Sequence, residues 1–127
     1  MANKKFLEYA EELMDFFEEQ GFKMDPRPRI ILDQSAKGRF DPFISTGHYE
    51  PDSMTITLYV SNRQAKDIMR TLAHELVHHH QNLKDPEGFS SLYKGGKLID
   101  NPELARYESE AYTKGNMTFR EWTEDRE

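Results

Sequence analysis

The sequence predicts a single α+β domain, residues 1–127, with an N-terminal helix, a small mixed or antiparallel sheet, a central helix and a C-terminal glutamate-bearing helix. Three patterns carry this expectation. Residues 4–20 repeat apolar side chains at helical steps, Ser53–Val60 alternates like a strand, and the segment after Ser61 is apolar round most of a helical cylinder. A chain of 127 residues supports one modest core, not two.

The first helix places Phe6, Ala10, Leu13, Met14 and Phe17 on one stripe, and Gly21 supplies its stop. Its polar face is acidic, which favours a core-covering helix over one lying on a membrane. Pro26 and Pro28 turn the chain into a short strand, Arg29–Leu32. Residues 33–51, rich in Gly, Ser, Pro and Asp, read as a loop or irregular hairpin. In SMTITLYV, Met54, Ile56, Leu58 and Val60 point one way and the intervening residues the other. Ser61 then offers an N-cap with Gln64 as its capping-box partner. The central helix continues through Ile68, Leu72, Leu76 and Leu83 until Asp85-Pro86 ends it. Residues 87–100 contain three glycines and read as a loop. Asn101-Pro102 restarts a helix, expected to stop near Lys114 at Gly115-Asn116. Residues 117–127 form a polar tail whose Phe119 and Trp122 either close the core or lie over a cleft and hold the protein latent.

Composition removes several function classes. With 36% hydrophobic and 31% charged residues the chain is globular, and no apolar run can span a bilayer. The first twenty residues lack the uninterrupted apolar stretch of a signal peptide, so the cytoplasm is the expected compartment. There is no cysteine, which excludes disulfides, thiolate metal sites and cysteine nucleophiles. A net charge of −6 argues against sequence-independent nucleic-acid binding.

The chemistry centres on His74-Glu75-Leu76-Val77-His78. Two histidines four apart lie about 40° from each other round a helix, so both imidazoles reach one metal from a straight backbone. Glu75, one step round, can take a proton from water. Chance would place such a motif in roughly one chain of this composition in fifty, and its setting between apolar flanks lowers that further. His79 and His80 fall about 100° and 200° beyond His78 and cannot share its metal. His79 is expected at the surface and His80 in a packed position.

A catalytic zinc needs a third protein ligand and an open position. Gln81 and Lys84 stand where the metzincin pattern requires Gly and His, and a thiolate ligand is absent, which leaves a downstream carboxylate. Glu108 lies about 40° from Leu104 and about 60° from Ala111 on the apolar side of the last helix. There a carboxylate needs a metal or a cation. An ion pair with Arg106 or a lysine is the competing arrangement, and Glu110, which faces away, is a further candidate ligand.

HELVH followed by a helix with Glu108-Ser109-Glu110-Ala111 resembles the gluzincin zinc metallopeptidases, and the size resembles the minigluzincins. Gly47-His48-Tyr49, Ile56-Thr57-Leu58 and Leu72-Ala73-His74-Glu75-Leu76 are similar to the SprT-like and ImmA-like families, so the resemblance covers about residues 44–112. It implies a zincin-like fold and one zinc ion on His74, His78 and Glu108, with Glu75 as general base. It further implies an extended peptide or protein substrate on an edge strand within Ser53–Val60. Tyr112 departs from the pattern, since many relatives carry Asp or Asn there to steady a ligand histidine. An oxyanion donor is expected from His48 or Tyr49, with Tyr93 and Arg106 as further candidates. Small members also occur in phage genomes. A zinc-stabilised protein-binding module that retains the site without turnover is the alternative function.

Overall fold

In the computed structural model, the described residues are 2–34, 46–61, 63–95 and 102–126. They form α1 (Ala2–Glu19), β1 (Arg29–Asp33), β2 (Gly47–Glu50), β3 (Thr55–Tyr59), α2 (Ala65–Lys84), α3 (Pro86–Gly95) and α4 (Pro102–Arg126). The architecture is a small α+β domain. The expected loop positions 35–45 and 96–100, the cap at Asn101 and the last residue lie outside the described residues.

The apolar stripe of α1 is buried as its spacing requires: Phe6, Ala10, Leu13, Met14 and Phe17 all enter the core. Gly21, at φ +97°, ends the helix. The Phe22 amide donates to the Phe17 carbonyl at 3.0 Å and the Gly21 amide to that of Glu18 at 3.1 Å. The rings of Phe17 and Phe22 meet at 4.8 Å, completing a Schellman motif. Arg27 then reaches back to Glu11, Asp15 and Glu18 on the acidic face of α1.

The sheet is mixed, with strand order β1-β3-β2, β1 parallel and β2 antiparallel to β3. Ile56 and Leu58 are buried by the alternation read from the sequence. Met54 precedes the strand at φ 52°, and Val60 follows it half-buried. The segment read as loop or hairpin contains β2, so β3 is the central strand. This corrects the expectation that Ser53–Val60 supplies the edge: both its sides are occupied, and the edges are β1 and β2.

The central helix starts later than the Ser61 cap predicts, with Gln64 as N-cap and no side-chain capping bond. Arg63 explains the entry. Its guanidinium donates to the carbonyls of Thr46, Tyr59 and Asp67 and to the Thr71 hydroxyl. One side chain thereby ties the ends of β2 and β3 to the first turns of α2.

Two expectations about the second half are corrected. Residues 86–95 are helical, because Asp85 ends α2 and starts α3 together: its Oδ1 accepts the Gly88 amide at 3.1 Å, with Pro86 in the first helical position. A Cβ on Gly88 would lie 2.2 Å from Asp85 Oδ2, so this glycine permits the cap instead of marking a loop. Nor does Gly115 stop the last helix. α4 runs for 25 residues through it, and the expected tail is its continuation. Phe119 and Trp122 are buried, Trp122 meets Tyr9 edge-on at 6.5 Å, and Arg126 covers both rings while pairing with Glu12. The tail closes the core over α1.

Gly115 is where α4 crosses α2. A Cβ there would stand 3.1 Å from the His74 Cα and 3.2 Å from the Ala73 carbonyl oxygen, both backbone atoms that cannot rotate away. Overpacking of this kind costs about 1–3 kcal/mol, more than the propensity gained by removing a mid-helix glycine. Gly115→Val is therefore expected to lower stability by about 2 kcal/mol. The check is urea unfolding, read as a lower midpoint at an unchanged slope.

Candidate metal centre

α2 carries Glu75, His78, His79, Gln81 and Asn82 as buried polar side chains, and each is accounted for by a partner or by the cleft. α4 runs antiparallel across it: Gly115 meets His74, while Tyr107 accepts from Gln81 one turn beyond His78. Glu108 is thereby placed opposite both motif histidines. Its Oε1 lies 3.2 Å from His74 Nε2 and 3.2 Å from His78 Nε2. All three donor atoms fall within 4.8 Å of one another, and the group could hold a metal ion. A tetrahedral ion with bonds of about 2.0–2.1 Å separates its donors by about 3.3 Å, so the two nitrogen–oxygen spacings already match. Among the described residues, no lysine or arginine pairs with Glu108.

Burial opposes charge on Glu108, but the hydrogen bonds from His74 and His78 outweigh it and hold the carboxyl far below its usual range. At His78, burial also opposes charge, and Glu108 with Glu75 overcomes it and raises the imidazole. Glu75 behaves oppositely: it is buried, and desolvation raises its proton affinity, only partly offset by His78 and His74.

Gln81 sets the orientation of His78. The His78 Nδ1–H donates to Gln81 Oε1 at 2.8 Å, which leaves Nε2 to face Glu108. Gln81 in turn donates to the Tyr107 carbonyl at 3.0 Å and to Glu110 Oε1 at 2.8 Å. Glu110, expected to face away, is thus the outer end of this chain, with Lys114 on its other oxygen. His74 has no such partner. Its Nδ1 is buried without a hydrogen bond, and the Tyr112 ring lies 4.3 Å from its own.

A cleft of about 420 Å³ opens over these groups. Its floor is α2 from Arg70 to His78, one wall is residues 46–51 with β2, and the other is Glu108, Tyr112 and Asn116 of α4. Phe89 and Tyr93 of α3 close the end beside His78, stacked on each other at 4.3 Å. Gly47 permits the approach of β2, since a Cβ there would meet the Thr71 methyl at 2.6 Å.

His48 is exposed on this wall and within electrostatic range of Glu75. Tyr49 forms part of the wall, yet its hydroxyl is committed elsewhere. Asn82 Nδ2 donates to it at 2.9 Å, it donates to His79 Nδ1 at 2.7 Å, and His79 Nε2 donates to the Pro26 carbonyl at 2.7 Å. His79 is consequently fully buried, correcting its expected surface position, and desolvation lowers its pKa. His80 is half-buried against Phe22 and accepts the Lys23 amide at 2.8 Å. Arg106 is exposed and away from the cleft. Tyr93, ranked behind His48 and Tyr49, is the phenol that reaches the centre. It sat in a segment read as loop, and Phe89 four residues earlier was the helical signal that could have raised it.

Two outcomes are expected. Gln81→Ala frees the His78 ring and weakens divalent-metal affinity by about 10- to 100-fold, measured by competition with a chelator. Tyr49→Phe strands Asn82 and His79 and costs about 1–3 kcal/mol in urea unfolding while metal affinity stays unchanged. No known family model, curated protein or solved structure matches the chain, so the reading of this centre rests on its own geometry.

Proposed function

We propose that the protein is a zinc-dependent metallopeptidase, hydrolysing peptide bonds with His74, His78 and Glu108 as zinc ligands and Glu75 as general base. The observation that carries this reading is the convergence of two imidazole nitrogens and one carboxylate oxygen beside a buried, uncoordinated glutamate in one open cleft. Two nitrogen donors and one oxygen donor without thiolate suit a catalytic zinc, which keeps a position free for water.

When bound, zinc lowers the pKa of its water to about 7 and polarises the scissile carbonyl. The protein's own groups do the rest. Glu75 accepts the proton of the attacking water, and its burial favours this by raising its affinity for a proton. The same carboxyl then delivers that proton to the leaving amine, so the peptide bond breaks with no net change at Glu75. An extended substrate fits beside β2, the wall of the cleft and an edge of the sheet. His48 is the candidate donor to the developing oxyanion. Tyr49 is a poor one, because its hydroxyl already serves Asn82 and His79. Among the described residues no helix is long and apolar enough to cross a membrane.

A buried glutamate next to the centre favours turnover over simple binding of a partner, since a binding module has no use for a base. The expected result is one zinc per chain, lost in His74→Ala and His78→Ala, with cleavage of a mixed peptide library by the loaded wild type. Glu75→Gln should keep the zinc and lose cleavage by at least about 100-fold, the scale of a general base. Undiminished cleavage by that variant would refute its role. Zinc binding without cleavage by the wild type would indicate a binding module.

A further inference from the structure

The two oxygens of Glu108 are not equivalent. Oε1 faces both histidine Nε2 atoms at 3.2 Å, whereas Oε2 accepts the Tyr93 hydroxyl at 3.0 Å. Tyr93 is fixed for this task. Its ring stacks on buried Phe89 and lies edge-on to the His78 ring at 5.2 Å. Its oxygen also lies 3.1 Å from His78 Nδ1, which donates to Gln81 over the shorter 2.8 Å.

A carboxylate can bind a metal through one oxygen or two. With two, Glu108 would occupy the position that a catalytic ion keeps for water. We propose that Tyr93 is a positioning residue that occupies Glu108 Oε2, restricts this ligand to one oxygen, and so keeps the fourth position of the metal open. Nothing in the composition or spacing of the sequence points to this, since the bond joins α3 to α4 across the closed end of the cleft. The inference rests on the zinc-site reading above, and it concerns coordination, not turnover.

The test compares wild type with Tyr93→Phe, each loaded with cobalt(II), by visible absorption and by chelator competition. Phe keeps the ring on Phe89, and circular dichroism verifies the fold. Wild type is expected to give the strong absorption of a four-coordinate ion. Tyr93→Phe should give a shifted spectrum, because the second Glu108 oxygen takes the position that water holds in the wild type, with affinity changed by about 10-fold or more in either direction. As a measurement needing no variant, X-ray absorption of the zinc-loaded wild type should find a single carboxylate oxygen on the ion. Identical cobalt spectra for the two proteins, or two carboxylate oxygens in the wild type, overturn the proposal. A variant with an unchanged spectrum and affinity but reduced cleavage also overturns it, by moving the Tyr93 hydroxyl to the substrate. If wild type holds a four-coordinate ion yet cleaves no peptide, the peptidase reading falls while the role of Tyr93 stands.

Discussion

Everything at the centre depends on how closely α4 lies against α2. The two helices can approach to backbone distance only because Gly115 presents no side chain to His74 and Ala73. Seven residues earlier, two turns back on the same face, stands Glu108. A carboxylate side chain is short, and a helix separation larger by one methyl layer would take Oε1 out of reach of both imidazoles. The helix pairing is also the most extensive among the described residues, so the packing that stabilises the fold and the geometry that assembles the donors are one contact surface.

A second constraint is the cost of burying polar groups on the central helix. Five polar side chains leave water there, and such groups destabilise unless partnered. The fold divides them. Asn82 and His79 are joined through Tyr49 to the loop after α1, and Gln81 and His78 are joined to α4. Glu75 alone faces the cleft without a hydrogen bond among the described residues, and it is the group to which the proposed reaction assigns proton transfer. His74 Nδ1 is the exception, buried and unpartnered under Tyr112. We have no physical account of it.

Local periodicity made α1 and β3 legible, because each buries one face and repeats with the period of its own geometry; β1 was legible as a short β-branched run after two prolines, and the motif helix as a segment apolar round most of its cylinder. Glu108 was legible for the same reason, as a charge on an apolar stripe. What failed was punctuation. Gly88 and Gly115 resemble breakers, yet one accommodates the Asp85 cap and the other a crossing helix, and both causes lie outside any short window. β2 was hidden in a polar segment of four residues whose partner is supplied by β3. His79 was assigned to the surface by helical angle alone. Angle cannot anticipate that the Pro26 carbonyl and the Tyr49 hydroxyl arrive from distant parts of the chain.

The clasp between the last turns of α4 and α1 has a consequence for synthesis. Arg126 and Glu12 are separated by most of the sequence, and Trp122 meets Tyr9 across a similar interval. A nascent chain translated as far as α3 already carries both motif histidines and the glutamate between them. It still lacks Glu108, and α1 has α2 beside it but not yet α4, another of the helices it packs against. Long-range closure of this kind is slow and comes late in folding. The His74, His78 and Glu108 donors, the group that could hold a metal ion, are in this way brought together only after α4 has been made and has docked.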